Sequence, residues 1–247
     1  MGNRACRKVQ RLILLKRTFS GSASRAVRRI FIKKTGTRTR EMLGPFLPDL
    51  LDRRIVLGSS SSRRLEIMRN QLGLTNVEVV ASTFPETLNK AMFSPVDYCQ
   101  STCLGKTYEL LGRAPSLLHE DRDLLIAADT IVEFEGEIIE KPATPEQAAQ
   151  FLRRLSGNVH TVRTHVSISS ISEQRNFATS CLVTFASLDE ETIAAYVATG
   201  EPYDKAGGYG YQSLAASFVR KIDGDYYCVV GLPVNELAQQ LIAFIRK

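Results

Sequence analysis

The chain has 247 residues, of which 44% are hydrophobic and 23% are charged, a composition that is ordinary for a globular protein with a substantial core. No run approaches the roughly 18 to 20 apolar residues of a membrane-spanning helix, so we expect no membrane partner. The five cysteines are odd in number and fit no disulfide framework, which favours a reducing, intracellular compartment.

Charge is divided unevenly along the chain, and the formal net charge of +6 hides this division. Residues 1–40 contain 13 Lys and Arg and no acid, whereas the remainder contains 19 basic and all 26 acidic residues. An acidic body disfavours a broad nucleic-acid surface. We therefore expect nucleic acid to bind, if at all, only through the basic segment.

Residues 1–50 are predicted to be a basic N-terminal extension, and residues 51–247 one domain. The extension is rich in Arg, Ser and Thr and its first 40 residues lack acid, which is typical of a mitochondrial or other organellar transit peptide. A disordered basic tail and a nucleic-acid-binding arm are the alternatives, and a cytoplasmic location goes with them. Gly44, Pro45 and Pro48 predict a linker, with the first element of the domain near Arg53.

Strand and helix patterns alternate along the domain. Strands are predicted at 55–57, 77–81, 124–128, 131–134, 137–139, 161–169, 177–185, 218–222 and 226–230. Helices are predicted at 63–72, 94–111, 144–157 and 189–198 and from 233 onward. Glu135-Gly136 and Asp223-Gly224 predict hairpin turns. Together these patterns predict an α/β fold with a mixed sheet.

A serine-rich loop, residues 58–62, joins the first strand to the first helix. Backbone N–H groups at a helix start and hydroxyls such as that of Ser59 can donate to phosphate oxygens. Arg63 and Arg64 follow directly and supply two cations for the same purpose. The spacing is not that of the Walker loop, so the segment predicts an anion site of another kind, with an ordinary capped helix as the alternative.

Two further segments bring carboxylates to the ends of strands. Asp129-Thr130 follows a buried strand, a frequent position of a catalytic carboxylate, although a capped turn has the same pattern. Glu140-Lys141 follows the predicted hairpin and is fixed by Pro142. Taken alone, this acid–base pair has the pattern of a solvated turn.

A glycine-rich loop, residues 204–212, contains charged residues, and its glycines allow the backbone to approach a ligand closely. Lys205 supplies positive charge, and Gln212 can donate and accept at the edge of a nucleobase. Tyr209 and Tyr211 are expected either to pack on a base or to fill the core.

Cysteine and histidine spacing gives no zinc signature. Cys99 and Cys103 lie four residues apart and could face a metal, but two small buried residues are the simpler interpretation. His160 is expected to cap or line a strand.

Seven segments, taken in order, resemble the Maf family over residues 54–246. Residues 59–64 (SSSSRR) are similar to the family signature Ser-x-Ser-Pro-Arg-Arg, with Ser62 in place of proline. The other segments are Phe84-Pro85-Glu86, Ala128-Asp129-Thr130, Glu140-Lys141-Pro142, Leu155-Ser156-Gly157 with His160, residues 204–212, and Gly231-Leu232-Pro233.

The resemblance implies a two-lobed α/β fold with a mixed sheet, flanking helices and a central cleft, similar to the inosine triphosphate pyrophosphatases. It also implies hydrolysis of a nucleoside triphosphate to the monophosphate and pyrophosphate, with a divalent cation, Mg²⁺ or Mn²⁺. A homodimer remains an open alternative.

The resemblance also implies roles for individual residues. Glu86 and Asp129 are the expected metal ligands, with Asp129 also activating the water, and Lys141 and Glu140 are the other expected catalytic residues. The residues expected to bind substrate are Ser59, Arg63, Arg64, Thr130, Lys106, Lys205 and Gln212. Lys106 follows Gly105, where the family often has an acid or Gln.

Three segments favour dTTP and UTP as substrates. Members of the family that act on these nucleotides have Arg-Arg, Asp-Thr and Tyr-Gly-x-Gln where this chain has residues 63–64, 129–130 and 209–212. Members that act on 7-methyl-GTP differ at the last two segments. The alternatives are a pyrophosphatase for 7-methyl-GTP or another modified nucleotide, and a non-catalytic regulator of cell division.

Overall fold

The computed structural model describes residues 43–86 and 88–246. Its strands are β1 Ile55–Leu57, β2 Val77–Val79, β3 Leu124–Phe134, β4 Glu137–Ile139, β5 Val159–Ser169, β6 Gln174–Phe185 and β7 Val219–Asp223. Within the described residues they form one mixed sheet in the order β2-β1-β3-β5-β6-β7, and β4 pairs with β3.

Seven α-helices of the described chain flank this sheet, and four of them begin at a side chain that accepts from a backbone amide of the first turn. They are α1 Leu47–Asp52, α2 Ser62–Asn70, α3 Pro95–Arg113, α4 Pro145–Leu155, α5 Glu190–Ala198, α6 Tyr226–Val230 and α7 Val234–Ile245. At α3 the Ser94 hydroxyl accepts from the amide of Asp97 at 3.2 Å. At α4 the Thr144 hydroxyl accepts from the amide of Gln147 at 3.2 Å. These contacts confirm the two predicted caps.

Strand β3 is central, and its two edges are paired differently. One edge pairs with antiparallel β5 along residues 125–133. The other edge pairs first with parallel β1, through residues 124–126, and finally with antiparallel β4, through residues 132–134. Residues 127–131 therefore have no strand partner on that edge within the described chain. The sheet divides at this interval, which contains Asp129 and Thr130.

The core is divided in the same way. One buried cluster includes Ile126 of β3 and Val166 of β5 and packs against α7. A second buried cluster includes Val132 of β3 and Val162 of β5 and packs against α4 and α5. β3 and β5 thus contribute side chains to both clusters, and one cluster lies at each end of this strand pair. The predicted two-lobed mixed α/β fold with flanking helices is confirmed.

Two strand predictions are wrong. Residues 124–128 and 131–134 are not separate strands but parts of the continuous β3. Residues 226–230 form the helix α6 instead of the second arm of a hairpin. Asp225 Oδ1 accepts from the amide of Tyr227 at 2.8 Å and caps this helix. Gly231 ends it at a φ of 109°, a conformation that favours glycine.

The helix α1 lies where the sequence predicts a linker. Leu43 and Leu50 are buried in the cluster that packs against α7. The Asn76 side-chain amide donates to the carbonyl oxygens of Leu50 at 2.9 Å and Arg53 at 2.6 Å, and these contacts fix the helix to the fold. The basic segment 1–42 lies outside the described residues, so the transit-peptide and tail interpretations stay predictions. Of the helices that the structure describes, none has the length and apolarity to span a membrane.

Candidate active site

A cleft of about 370 Å³ opens where the sheet divides. It is lined by ten of the residues predicted to act on the substrate, namely Ser59, Arg63, Arg64, Glu86, Lys106, Asp129, Thr130, Lys141, Lys205 and Gln212. Glu140 does not line this cleft and instead lines an adjoining cavity. The structure therefore brings together residues that are up to 153 positions apart in sequence, between Ser59 and Gln212.

The serine-rich loop leads into the N-terminus of α2 and faces the cleft. Ser59 is buried, and its Oγ accepts from the amide of Ser61 at 3.2 Å. Arg63 is partly exposed, with Nη1 at 3.6 Å from Asp204 Oδ2 across the cleft. The loop thus offers amides and hydroxyls to an anion, and Arg63 supplies a cation whose ion pair with Asp204 is long.

Arg64 is bound to protein atoms on three sides. Its Nη1 donates to Ser59 Oγ at 3.0 Å and its Nη2 to Thr130 Oγ1 at 3.0 Å. Its Nε donates to the carbonyl of Gly231 at 2.9 Å. Burial lowers the pKa of Arg64, although Asp129 acts in the opposite direction. Arg64 therefore fixes the serine-rich loop to β3, and its predicted contact with phosphate stays a prediction.

The hydroxyl of Thr130 belongs to a chain of polar contacts that the sequence does not reveal. Thr130 Oγ1 lies 2.9 Å from Thr164 Oγ1, and Thr164 donates to the carbonyl of Cys228 at 2.8 Å. Thr164 faces Thr130 because β3 and β5 pair in that register. Sequence analysis missed Thr164, since only the strand pairing brings it to the site.

The centre of the cleft is a buried ammonium group between two carboxylates. Lys106 Nζ lies 2.7 Å from Asp129 Oδ1 and 2.6 Å from Glu86 Oε1. Lys141 Nζ contacts the other oxygen of Glu86, Oε2, at 2.9 Å. The Lys106 side chain is 10% exposed, whereas that of Lys141 is 51% exposed. Lys106, which follows a departure from the family pattern at Gly105, thus occupies the centre.

Burial disfavours the charged forms of Lys106 and Glu86, whereas the ion pairs of this cluster favour them. Burial lowers the pKa of Lys106, but Asp129 and Glu86 raise it, and the pKa lies above its ordinary value. Burial raises the pKa of Glu86, but Lys106 and Lys141 lower it to about 2. Lys106 and Glu86 are therefore both charged at neutral pH.

The glycine-rich loop supplies the opposite wall. Lys205 Nζ donates to the carbonyl of Glu201 at 2.7 Å and contacts Asp204 Oδ1 at 2.6 Å. Gly207 has a φ of 74°, and a Cβ there would lie 2.8 Å from Val132 Cγ2, so the close approach requires glycine. Gln212 lines the cleft and is exposed, which leaves its amide accessible to a ligand.

The two tyrosines of this loop have different roles. Tyr209 is buried, and its hydroxyl lies 2.7 Å from His160 Nε2. His160 therefore lines β5 beneath the cleft, as expected, and burial lowers its pKa to about 4. Tyr211 lines the cleft and packs edge-on against Tyr226.

Glu140 forms an ion pair on the rim of the adjoining cavity. Its Oε2 lies 2.5 Å from Lys90 Nζ, a residue that sequence analysis did not single out. Its carbonyl accepts from the amide of Gly207 at 3.1 Å, which connects the segment after β4 to the glycine-rich loop. Glu140 is thus adjacent to the central cluster without lining the cleft.

The two close cysteines have a structural role. Cys99 and Cys103 are buried, and their thiols contact the carbonyl oxygens of Asp129 at 3.5 Å and Ala127 at 3.6 Å. Burial raises the pKa of both thiols, that of Cys103 to about 12. Among the described residues, no group of three or more His, Cys, Asp or Glu could hold a metal ion. These cysteines help pack α3 on β3.

Known proteins are similar to this chain over most of its length. A 41% identical stretch of 210 residues covers 81% of this chain and 34% of a human protein named probable bifunctional dTTP/UTP pyrophosphatase/methyltransferase protein. This chain thus spans about a third of that human relative. It is 42% identical to a dTTP/UTP pyrophosphatase of Bacillus velezensis over 195 residues, or 78% of this chain and 98% of the relative. A HAM1 protein structure from Coxiella burnetii matches 77% of this chain and 99% of its own, with 14% identity and a TM-score of 0.43.

The family model described as Maf-like protein matches residues 54–244, which includes every residue predicted to act on the substrate. A dTTP/UTP pyrophosphatase of Bacillus cereus is 40% identical over 193 residues, covering 78% of this chain and 96% of the relative. The resemblance found in seven short segments thus extends over the whole domain, and this chain belongs to the Maf-like protein family.

Proposed function

We propose that this protein hydrolyses nucleoside triphosphates, preferably dTTP and UTP, to the monophosphate and pyrophosphate. The observation that carries the proposal is the buried Lys106 between Glu86 and Asp129, at the centre of a cleft with cations on both walls. The relatives named dTTP/UTP pyrophosphatase support the same activity.

The cleft has the charges that a triphosphate requires. Attack of water on the α-phosphorus with pyrophosphate as leaving group is limited by negative charge on the transferred group. Arg63 on one wall and Lys141 and Lys205 on the other can neutralise that charge. Ser59 and the amides at the start of α2 can orient the phosphates.

Asp129 is the proposed base. It lies in the interior of β3, and its contact with Lys106 fixes the direction of the carboxylate. The water oxygen bonds to the α-phosphorus, Asp129 takes the proton, and the bond between the α-phosphorus and the bridging oxygen breaks. Pyrophosphate leaves with that electron pair, and the products are a monophosphate and pyrophosphate.

Glu86 and Asp129 would hold a divalent cation, Mg²⁺ or Mn²⁺, together with the phosphates of the substrate. Such ions bind carboxylate oxygens and are often held by one or two carboxylates plus substrate phosphates, so Glu86 and Asp129, which meet at Lys106 Nζ, are a suitable donor set. When bound, the cation would stabilise charge on the phosphate oxygens.

Thr130 and Gln212 are the proposed base-reading residues. Gln212 offers both a donor and an acceptor, which matches the exposed edge of thymine or uracil. Thr130 is held by Arg64 and Thr164, so its hydroxyl has a fixed orientation. We extend the proposal to a location in a mitochondrion or another organelle, supported by the composition of residues 1–40.

The test is pyrophosphate release by the full chain with Mg²⁺ and with Mn²⁺, across dTTP, UTP, CTP, GTP, ATP and 7-methyl-GTP. We expect turnover of dTTP and UTP, its loss with a chelator, and its loss in Asp129→Asn. Selective turnover of 7-methyl-GTP would contradict the roles of Thr130 and Gln212. Nucleotide binding without any turnover would favour the non-catalytic regulator.

Two readouts accompany this test. Sedimentation of the purified chain with and without nucleotide would determine whether it forms a homodimer. A fluorescent fusion carrying residues 1–50 would distinguish an organellar from a cytoplasmic location.

A further inference from the structure

Two neighbouring residues of the glycine-rich loop, Tyr211 and Gln212, line the cleft together. They are the two central residues of a β-turn, in which the Ser213 amide donates to the carbonyl of Gly210 at 3.3 Å. The Ser213 hydroxyl contacts the same carbonyl at 3.0 Å and also Glu201 Oε1. The backbone that carries both side chains is therefore held in place by contacts at the base of the turn.

The turn begins beside a cation of the cleft. A Cβ on Gly210 would lie 2.6 Å from Lys205 Cε, so the lysine stem packs directly on the backbone that precedes Tyr211. Lys205 lines the same cleft and is one of the cations proposed to neutralise the triphosphate. A nucleobase is joined to its α-phosphate by one ribose, so the base has to lie near these cations, as the turn does.

The ring of Tyr211 is supported from α6. It packs against the ring of Tyr226, with centroids 5.3 Å apart and an interplanar angle of 80°. In a perpendicular pair one ring presents its edge to the face of the other, so Tyr226 covers at most one of the two faces of Tyr211. Tyr211 is partly exposed and lines the cleft. The structure thus provides an aromatic ring that a ligand in the cleft can reach.

The other tyrosine of the loop, Tyr209, is committed to the core. It belongs to the buried cluster that packs against α4 and α5 and is 5% exposed. The rings of His160 and Phe185 pack edge-on against it, with centroids at 5.4 and 4.8 Å. Of the two expected roles, filling the core therefore falls to Tyr209, and contact with a base is left to Tyr211.

We propose that Tyr211 stacks on the nucleobase of the substrate while Gln212 contacts the edge of the same base. The inference rests on the proposed function. Stacking tolerates any base, because every base has an aromatic face. Tyr211 therefore supplies affinity for a nucleotide over an inorganic polyphosphate, and the choice among bases belongs to the edge contacts.

The first experiment compares variants of the full chain in pyrophosphate release from dTTP and UTP. Tyr211→Ala removes the ring, and we expect KM to rise about tenfold for both nucleotides, as for the loss of one stacked base. We expect kcat to change little, because stacking is equal in the ground and transition states. Tyr211→Phe keeps the ring, and its KM should stay close to that of the wild type.

Tyr108→Ala is the matched control for these variants. Tyr108 is an exposed tyrosine of α3 and lines neither the cleft nor the adjoining cavity. Its removal should leave KM unchanged.

Inhibition by inorganic tripolyphosphate separates stacking from a structural role of Tyr211. This ion matches the phosphate-binding cations but has no base, so its inhibition constant should be the same in the wild type and in Tyr211→Ala. A distorted turn would instead weaken both ligands, because Lys205 packs against Gly210.

A fluorescence measurement reports the contact without turnover. The chain has no tryptophan, so Tyr211→Trp introduces a single indole. Combined with Asp129→Asn to prevent hydrolysis, we expect dTTP to quench this fluorescence and tripolyphosphate to leave it unchanged.

Three results would overturn the inference. They are a wild-type KM in Tyr211→Ala, an equal weakening of tripolyphosphate in that variant, and an unquenched indole when calorimetry shows that dTTP is bound. A wild-type chain that binds dTTP but releases no pyrophosphate would overturn the proposed function instead, and the quenching measurement would still decide whether Tyr211 contacts the base.

Discussion

Lys106→Met tests whether the central ammonium group holds the site together. The substitution keeps a side chain of similar length but removes contacts of 2.6 Å to Glu86 and 2.7 Å to Asp129. Removing one partner of a buried ion pair typically costs about 3–5 kcal/mol, because the remaining charge is buried without compensation. Glu86 is 41% exposed, so we expect a value near the lower end, about 3 kcal/mol.

The assay is urea unfolding at neutral pH and again at about pH 3, with Lys141→Met as the matched control. Lys141 contacts the same carboxylate but is half exposed, so its loss should cost less than about 1 kcal/mol. The free energy of unfolding contributed by Glu86 is complete above its ordinary pKa of 4.5 and is lost as the pH falls through about 2. The difference between Lys106→Met and wild type should therefore shrink on acidification. Equal losses in the two lysine variants, or a difference independent of pH, would refute this reasoning.

Three further predictions concern Asp129, Arg64 and His160. Asp129→Asn keeps the shape of the residue, so we expect a folded protein by circular dichroism with pyrophosphate release reduced by about 10³-fold, and wild-type turnover would exclude Asp129 as the base. Arg64→Lys replaces the three donor nitrogens of the guanidinium, which contact Gly231, Ser59 and Thr130, with a single ammonium nitrogen that does not reproduce this spacing. Calorimetry should therefore show weaker dTTP binding, whereas wild-type affinity would contradict this linking role. Burial lowers the pKa of His160 to about 4 from 6.5, so the free energy of unfolding that His160 contributes is complete above pH 6.5 and falls by about 3 kcal/mol as the pH drops towards 4. The free energy of unfolding of His160→Gln, measured over the same range, should lack this loss.

The parts of the fold that depend on local chemistry could be predicted from the sequence. The helices α3 and α4 begin at Ser94 and Thr144 as expected, because the capping side chain and the amide it accepts from lie three residues apart. The division of β3 into two strands was wrong for a non-local reason. Asp129-Thr130 interrupts the apolar run, but pairing with β5 along residues 125–133 keeps the strand continuous.

The same distinction applies to the candidate site. Charged residues in short motifs, such as Arg63, Asp129 and Lys141, could be found in the sequence because each motif combines unusual residues at fixed spacing. Thr164 could not be found, since it is an ordinary threonine until the pairing of β5 with β3 brings it beside Thr130. Glu140 belongs to a recognised motif, yet its position on the adjoining cavity is visible only in the structure.

The division of the sheet explains how Asp129, the proposed base, can line a cleft from the interior of a strand. β5 pairs with one edge of β3 throughout, so the backbone at Asp129 is held firmly. On the other edge β1 and β4 leave residues 127–131 unpaired, which provides space for a substrate beside that carboxylate. The serine-rich loop follows β1, whereas Lys141 follows β4, so the two walls belong to different lobes. A triphosphate that contacts both walls must therefore bridge the lobes, with its reacting phosphorus beside the one strand that belongs to both.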